Sequence, residues 1–187
     1  MLAWKAYFPF AKIIACDLIP KFEMVTWRTL IYAIDQSSAT DLARLTAEEG
    51  PFDVIVDDGS HLNAHQIFTF SKLFDAVTEG GLYIIEDVQT PFWPGKVHRI
   101  SWDGKHIDDP KFSQTCVGYF LEMAKYLNYK EFVDERNVNV EYVHLAKTIK
   151  RISFEHNLIA IEKGRNDDPS NAMTRDTPVG RLVTLES

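Results

Sequence analysis

The stretch FDVIVDDGSHLNAH, residues 52–65, decides how this chain folds and where its chemistry lies. It opens with an apolar run that is typical of a strand covered on both faces. It then turns polar, with two aspartates, a glycine, a serine and His61, and His65 follows four residues later. Two interpretations are open: an ordinary turn in which an aspartate caps the next helix, or a site that holds a metal ion and moves a proton.

The segments on either side alternate between strand and helix patterns. The predicted strands cover residues 11–18, 26–35, 52–58, 82–88, 140–154 and 156–164. The predicted helices cover residues 2–8, 39–50, 64–77 and 113–128. This alternation predicts an α/β fold with a doubly wound, mostly parallel sheet, and the closing strand pair predicts an antiparallel edge. Residues 1–165 are expected to form one domain, and the polar segment 166–187 a tail or arm.

Composition limits the partners. The chain has 187 residues and a formal net charge of −7, so a nucleic-acid partner has no electrostatic support. Charged residues and prolines interrupt the apolar N-terminal region, so we expect neither a targeting segment nor a membrane span. Cys16 and Cys116 are far apart and show no ligand-like spacing, which favours buried, reduced thiols and a cytoplasmic location.

Acidic residues end four of the predicted strands. They are Asp17, Asp35, the pair Asp57 and Asp58, and the pair Glu86 and Asp87. Ligands of open α/β sheets sit at the carboxyl ends of the strands, and adjacent strands lie about 4.8 Å apart. If strands 52–58 and 82–88 are neighbours, Asp58, Glu86 and Asp87 come within reach of one cation. Three carboxylates suit Mg²⁺, and zinc is disfavoured because no cysteine cluster or complete histidine motif is present.

The remaining candidates each have a structural alternative. His61 follows the acids by three residues and is placed to act as a general base, or it is an ordinary loop histidine. His65 is expected to pack against or support the site. Asp17 and Asp35 can take the ribose hydroxyls of a nucleotide-like cofactor, or they simply end their strands in turns.

Five segments together carry a resemblance to a known family. They are YFPFAKIIACDL, AIDQS, FDVIVDDGSHLNAHQ, GGLYIIEDVQTPFWP and FEHNLIAIEKGRND, in that order. The chain resembles the S-adenosylmethionine-dependent sugar O-methyltransferases of macrolide biosynthesis, over about residues 1–168. The resemblance implies a Rossmann-like class I methyltransferase fold. It also implies Mg²⁺-dependent methyl transfer to a sugar hydroxyl of a glycosylated natural product.

The resemblance also assigns roles to residues. It implies that Asp58, Glu86 and Asp87 hold the metal and that His61 is the general base. It places Asp17 at the ribose of S-adenosylmethionine, Asp35 and Gln36 near the adenine, and Asp57 on the cofactor side. A loop carrying Pro91, Phe92, Trp93 and Pro94 is a candidate lid over the site.

One family feature is absent: the first strand and its glycine-rich cofactor turn, since no glycine precedes Gly50. We therefore expect an N-terminally incomplete fold with a gap in its sheet between strands 11–18 and 52–58. S-adenosylmethionine is then expected to bind weakly or not at all, activity of this chain alone is doubtful, and an exposed gap favours homo-oligomers. The alternatives are an inactive metal- or sugar-binding relic and a metal-dependent hydrolase that uses the same acids.

Overall fold

A computed structural model describes residues 2–20, 25–93, 105–106, 111–131 and 139–169 of the chain. Its helices are α1 (Leu2–Tyr7), α2 (Ala39–Glu49), α3 (Asn63–Leu73), α4 (Cys116–Tyr126) and α5 (Val140–Ala146). Its strands are β1 (Ile13–Asp17), β2 (Thr29–Ala33), β3 (Phe52–Asp57), β4 (Val77–Glu86), β5 (Ile149–Glu155) and β6 (Leu158–Lys163). Within the described residues, this order confirms the predicted alternation of helices and strands up to α4.

The described strands form two sheets. β1 and β2 pair in parallel, with Ile13 opposite Thr29 and Asp17 opposite Ala33. The second sheet has the order β3–β4–β6–β5, in which β3 is parallel to β4 and β6 is antiparallel to both of its neighbours. The antiparallel closing pair is therefore confirmed. Among the described strands the sheet is broken between the β1–β2 pair and β3, where the sequence predicted a gap.

One aromatic cluster joins the helices to the second sheet. The ring of Phe70, on α3, lies 4.8 Å from Phe74, 5.3 Å from Tyr83 and 4.9 Å from Phe120 between centroids. All four side chains are almost completely buried. Edge-to-face contacts of this kind add to the free energy gained by burying the rings, so α3, β4 and α4 form a fixed unit beneath the carboxyl end of β4.

Helix α2 attaches the first sheet to this unit. The Ser38 hydroxyl accepts a hydrogen bond from the Asp41 amide and so caps the helix. Leu42 and Leu45 are buried in the same core as the aromatic cluster. At the other end of α2, Glu49 pairs with the Lys12 ammonium and accepts a bond of 2.6 Å from the Tyr32 hydroxyl. The first sheet is thus held in place through a helix.

Strand β4 is longer than the sequence predicted. The residues EGG, expected to separate a helix from a strand at 82–88, lie inside β4, which begins at Val77. Gly80 has a φ of +79°, a conformation that favours glycine. A side chain on Gly81 would meet the Asp53 carbonyl oxygen at 2.6 Å, and the pairing of β3 with β4 shifts register here. The glycines therefore allow a bulge and do not end the element.

Residues 140–146 are a second correction, because they form helix α5 and not the first part of a strand. The β-branched and aromatic residues of VEYVHLA favoured a strand. Asn139 decides otherwise, since its side-chain oxygen accepts bonds from the amides of Glu141 and Tyr142 and so caps a helix. Tyr142 then packs edge-on against the rings of Tyr119 and Tyr126, which stabilises the helix through tertiary contacts.

The predicted lid and tail lie partly outside the described residues. Pro91 is buried while Phe92 and Trp93 are exposed, and Pro94 lies outside the described part of the chain. At the other end, the Asn166 side chain donates bonds of 2.9 and 3.0 Å to the carbonyl oxygens of Leu127 and Ala146. The segment just after residue 165 is therefore anchored to the domain. The tail stays a prediction for residues 170–187, which lie outside the described residues.

The two cysteines differ in their exposure. Both cysteines are free; Cys116 is buried, but Cys16 is exposed, so the expectation of two buried thiols is wrong for Cys16. Cys16 is the next-to-last residue of β1. None of the described helices has both the length and the apolar character that crossing a membrane requires.

Candidate metal centre and cofactor side

The pairing of β3 with β4 brings the predicted acids together. The two strands run in parallel with Asp57 opposite Ile85, so the residues that follow, Asp58 and Glu86, leave the sheet side by side. Asp87 comes next. The carboxyl ends of both strands thus meet at one edge, as expected for neighbouring parallel strands.

Three side chains at this edge can share one ion. Asp58, His61 and Asp87 each offer a ligand atom, and these atoms all lie within 4.8 Å of one another. The His61 Nε2 atom lies 3.6 Å from Asp87 Oδ2. Two carboxylate oxygens beside an imidazole are a donor set that suits a divalent cation such as Mg²⁺ or Mn²⁺, completed by water. The residues present therefore fit a metal ion.

Two members of this set have unusual backbone conformations. His61 has a φ of 57° and Asp87 a φ of 55°, in the left-handed region that non-glycine residues rarely adopt. Such residues persist where surrounding contacts fix them, and they concentrate at functional sites. The Thr90 hydroxyl donates a bond of 3.0 Å to the His61 carbonyl oxygen, and the Gln89 amide donates one of 3.1 Å to Asp87 Oδ1. The loop after β4 therefore holds both residues.

Glu86 belongs to the same acidic group but is not one of the three closest residues. Desolvation raises the pKa of its carboxyl group, and the negative charges of Asp58 and Asp87 raise it further. Its backbone oxygen accepts a bond of 3.0 Å from the side chain of Gln66, on α3. A cation placed among these carboxylates would relieve their mutual repulsion.

Buried polar side chains that the sequence analysis did not identify support this edge. Asn63, Gln66 and Thr90 are almost fully buried. The Asn63 side-chain oxygen accepts a bond of 2.7 Å from the Cys116 amide at the start of α4. Asn63 and Gln66 lie three residues apart and so share one face of α3. Polar residues on the core-facing side of a predicted helix are the signal that could have found them.

On the cofactor side, Asp57 is buried and fully engaged. Its carboxylate accepts bonds of 2.6 Å from the Gln36 amide and 3.1 Å from the Tyr83 hydroxyl. Burial raises the pKa of Asp57 to about 7 despite these bonds, and the charge of Asp58 adds to the increase. The structure therefore brings Gln36 and Asp57, two of the four predicted cofactor residues, into contact with each other.

The other two predicted cofactor residues make local bonds at the strand ends. Asp17 Oδ1 accepts a bond of 2.9 Å from the Ile19 amide. Asp35 Oδ1 accepts bonds from the amide and hydroxyl of Ser37, which lower its pKa. Both patterns match the turn alternative, and both carboxylates remain exposed at the carboxyl end of the first sheet. Their cofactor role stays a prediction.

His65 occupies a supporting position, consistent with the expectation from the sequence. Its Nδ1 atom lies 2.9 Å from the hydroxyl of Ser60, which is in the loop between Asp58 and His61. The ring is partly buried on the first turn of α3. His65 therefore contacts the loop and is not among the three residues that can share a cation.

Comparison with curated proteins finds sugar O-methyltransferases. The chain is 35% identical over 165 residues to mycinamicin VI 2''-O-methyltransferase of Micromonospora griseorubida, covering 88% of this chain and 39% of that protein. It is 33% identical over 165 residues to demethylmacrocin O-methyltransferase of Streptomyces fradiae, covering 88% and 40%. The chain thus spans about two fifths of the length of these relatives. No protein-family model matches the chain.

Comparison with solved structures identifies the fold. MycE methyltransferase from the mycinamycin biosynthetic pathway, in complex with Mg and SAH, matches with a TM-score of 0.79 and 34% identity. The match covers 98% of this chain and 45% of MycE. A second MycE structure, with Mg, SAH and mycinamycin VI, gives a TM-score of 0.78. Both sheets of the chain therefore fall within one methyltransferase fold.

The buried Asp57 predicts a pH dependence of stability. Because its pKa is about 7 in the folded chain and 3.8 without burial, the folded state retains a proton that the unfolded state releases. Stability is then highest below pH 4 for this group and falls as pH rises toward 7, by at most about 4 kcal/mol.

We expect the free energy of unfolding of Asp57→Asn to depend less on pH than that of the wild type. Urea unfolding between pH 5 and 8, with chelator present, measures this dependence. The matched control is Asp53→Asn on the same strand, whose exposed side chain accepts a bond from Thr78. It should keep the wild-type slope. Equal slopes for Asp57→Asn and wild type would contradict the buried, proton-holding carboxyl group.

Sequence and structure agree on the relatives of this chain. The five curated relatives are all named O-methyltransferases, which does not favour the hydrolase alternative. The MycE match extends this agreement from sequence to fold. The chain is therefore similar in sequence to the sugar O-methyltransferases of macrolide and polyketide pathways, and it has the α/β methyltransferase fold of MycE.

Proposed function

We propose that this chain supplies the metal and base residues for methyl transfer from S-adenosylmethionine to a sugar hydroxyl of a glycosylated natural product. The observation that carries the proposal is the meeting of Asp58, His61 and Asp87 within 4.8 Å at the ends of two adjacent strands. The names of the relatives, which are 2''-, 2'-, 3'- and 3-O-methyltransferases of glycosylated compounds, support the acceptor class.

Asp58 and Asp87 would hold the metal ion, with Glu86 as the third carboxylate. Desolvation is the main cause of the raised pKa of Glu86, and the neighbouring charges of Asp58 and Asp87 add to it, which supports a shared acidic site. When bound, Mg²⁺ would lower the pKa of the acceptor hydroxyl and neutralise part of the charge that develops on its oxygen. MycE, the structural relative, was solved with Mg and SAH.

His61 would act as the general base. Its Nε2 atom lies beside the acids, where an imidazole can accept the hydroxyl proton. The Asp87 carboxylate, 3.6 Å away, would stabilise the imidazolium that forms. The bond from Thr90 to the His61 carbonyl oxygen would keep the ring at the edge of the site during this step.

S-adenosylmethionine would supply the methyl group, and the exposed carboxylates of Asp17 and Asp35 would face its ribose and adenine. Much of the rate acceleration would come from holding the hydroxyl and the methyl carbon in near-attack geometry. The loop after β4 would help to exclude water, supported by the buried Pro91 and the neighbouring Phe92 and Trp93.

We also propose self-association and a cytoplasmic location. Phe10 and Trp27 are 99% and 90% exposed, and large exposed apolar residues are typical of protein interfaces. The two free cysteines fit a reducing compartment.

The division of roles between the acids and His61 predicts distinct effects on metal binding. Asp58→Asn should weaken Mn²⁺ binding at least tenfold, because it removes a charged ligand. Although His61 could also offer a ligand atom, its proposed role as base means that His61→Ala should change the Mn²⁺ dissociation constant less than about threefold and should abolish any methyl transfer that the wild-type chain shows. Electron paramagnetic resonance of free Mn²⁺ measures these Mn²⁺ dissociation constants.

His156→Ala provides a control, since His156 lies in the turn between β5 and β6, and it should leave Mn²⁺ binding unchanged. A tenfold loss of Mn²⁺ affinity in His61→Ala would make His61 a ligand and remove its role as base.

Cofactor binding to this chain is predicted to be weak. Gln36 and Asp57 are bonded to each other, and the sheet beside them is broken among the described strands. The dissociation constant for S-adenosylhomocysteine, measured by isothermal titration calorimetry, should therefore exceed about 100 μM. This value corresponds to a binding free energy of roughly −5.5 kcal/mol. A micromolar dissociation constant for the 187-residue chain would contradict this prediction.

A further inference from the structure

We propose that Gln36 is a positioning residue, whose side chain fixes the loop carrying Asp58 and His61 in the conformation that binds a divalent cation. The inference rests on the proposed function, in which that loop supplies a metal ligand and the base. It also gives Gln36 a different role from the adenine contact that the sequence resemblance implied.

The Gln36 amide bonds to both ends of the loop segment that contains Asp58. Its Nε2 atom donates to Asp57 Oδ1 at 2.6 Å, on the residue before Asp58. Its Oε1 atom accepts from the Ser60 amide at 2.9 Å, two residues after Asp58. One rigid, planar group therefore sets the separation of the two residues that bracket the metal ligand.

Gly59 lies directly against the same amide. A side chain placed on Gly59 would come well under 3.0 Å from Gln36 Oε1, closer than real Cβ atoms approach. Without a Cβ, the glycine lets the loop backbone approach the amide closely, and a side chain there would push the end of Gln36 away. The packing of Gly59 is a second observation that the loop is shaped around Gln36.

The hydrogen bonds of Gln36 cross the break between the two sheets. Gln36 follows β2 in the first sheet, whereas the loop follows β3 in the second, and no backbone pairing joins these sheets among the described strands. The second oxygen of Asp57 is held at 3.1 Å by the Tyr83 hydroxyl of β4. The Asp57 carboxylate thus links Gln36 on one side to the core of the second sheet on the other.

This arrangement makes the metal site depend on a residue from the cofactor side. Asp35, the neighbour of Gln36, forms the turn at the end of β2 through its bonds to Ser37. Movement of that turn would be transmitted through the Gln36 amide to Asp58. Groups that hydrogen-bond directly to metal ligands typically change metal affinity 10- to 100-fold when removed, and Gln36 bonds to the residues on either side of the ligand, so we expect an effect at the lower end of that range.

The test is Gln36→Met, which keeps the length and packing of the side chain but removes both hydrogen bonds. Mn²⁺ binding to the full chain is measured by electron paramagnetic resonance, and unfolding by urea is measured in parallel. We expect about a tenfold weaker Mn²⁺ affinity in the folded protein. Gln114→Met is the matched control, since Gln114 also accepts a bond from a backbone amide, that of Lys111, away from the site.

Gly59→Ala is a second variant that displaces the same amide and decides the matter if Gln36→Met does not fold. A similar loss of Mn²⁺ affinity in Gly59→Ala supports the proposal. Wild-type affinity in Gln36→Met, or in Gly59→Ala, overturns the positioning role and leaves the proposed metal site intact. Failure of the wild-type chain itself to bind Mn²⁺ overturns the metal site as well.

Discussion

The parallel pairing of β3 with β4 is the constraint on which the site depends. Because Asp57 stands opposite Ile85, Asp58 and Glu86 must leave the sheet together, and Asp87 follows at once. A shift of one residue in this register would move each acid to the other face of the sheet. The bulge at Gly80 and Gly81 absorbs the irregularity far from the carboxyl end, so the register there stays intact.

The broken sheet gives the loop after β3 two neighbours of different origin. The second sheet and α3 hold it from below, through Tyr83 and the buried aromatic cluster. The first sheet holds it from the side, through the hydrogen bonds of Gln36, which follows β2. In the proposed site, the metal ligands and the cofactor-side residues would therefore depend on each other.

Local patterns in the sequence predicted Asp58, Glu86 and Asp87 as metal ligands and His61 as the base, because strand ends and their acids are read from consecutive residues. In the structure His61, and not Glu86, completes the closest group of three. Helix α5 was missed because its strand-favouring composition is overridden by the Asn139 cap and by distant tyrosine contacts. The bond from Gln36 to Asp57 joins residues 21 apart in sequence and could not be read from either segment. Contacts between sheets require the assembled fold, whereas the candidate ligands required only the strand ends.

The central claim is that the ends of β3 and β4 form one divalent-cation site. The most direct measurement is anomalous diffraction from crystals of the chain grown with Mn²⁺. A single strong peak is expected about 2.1 Å from carboxylate oxygens of both Asp58 and Asp87. A Mn²⁺ peak elsewhere in the chain, with no peak between Asp58 and Asp87, would contradict a shared cation site at these strand ends.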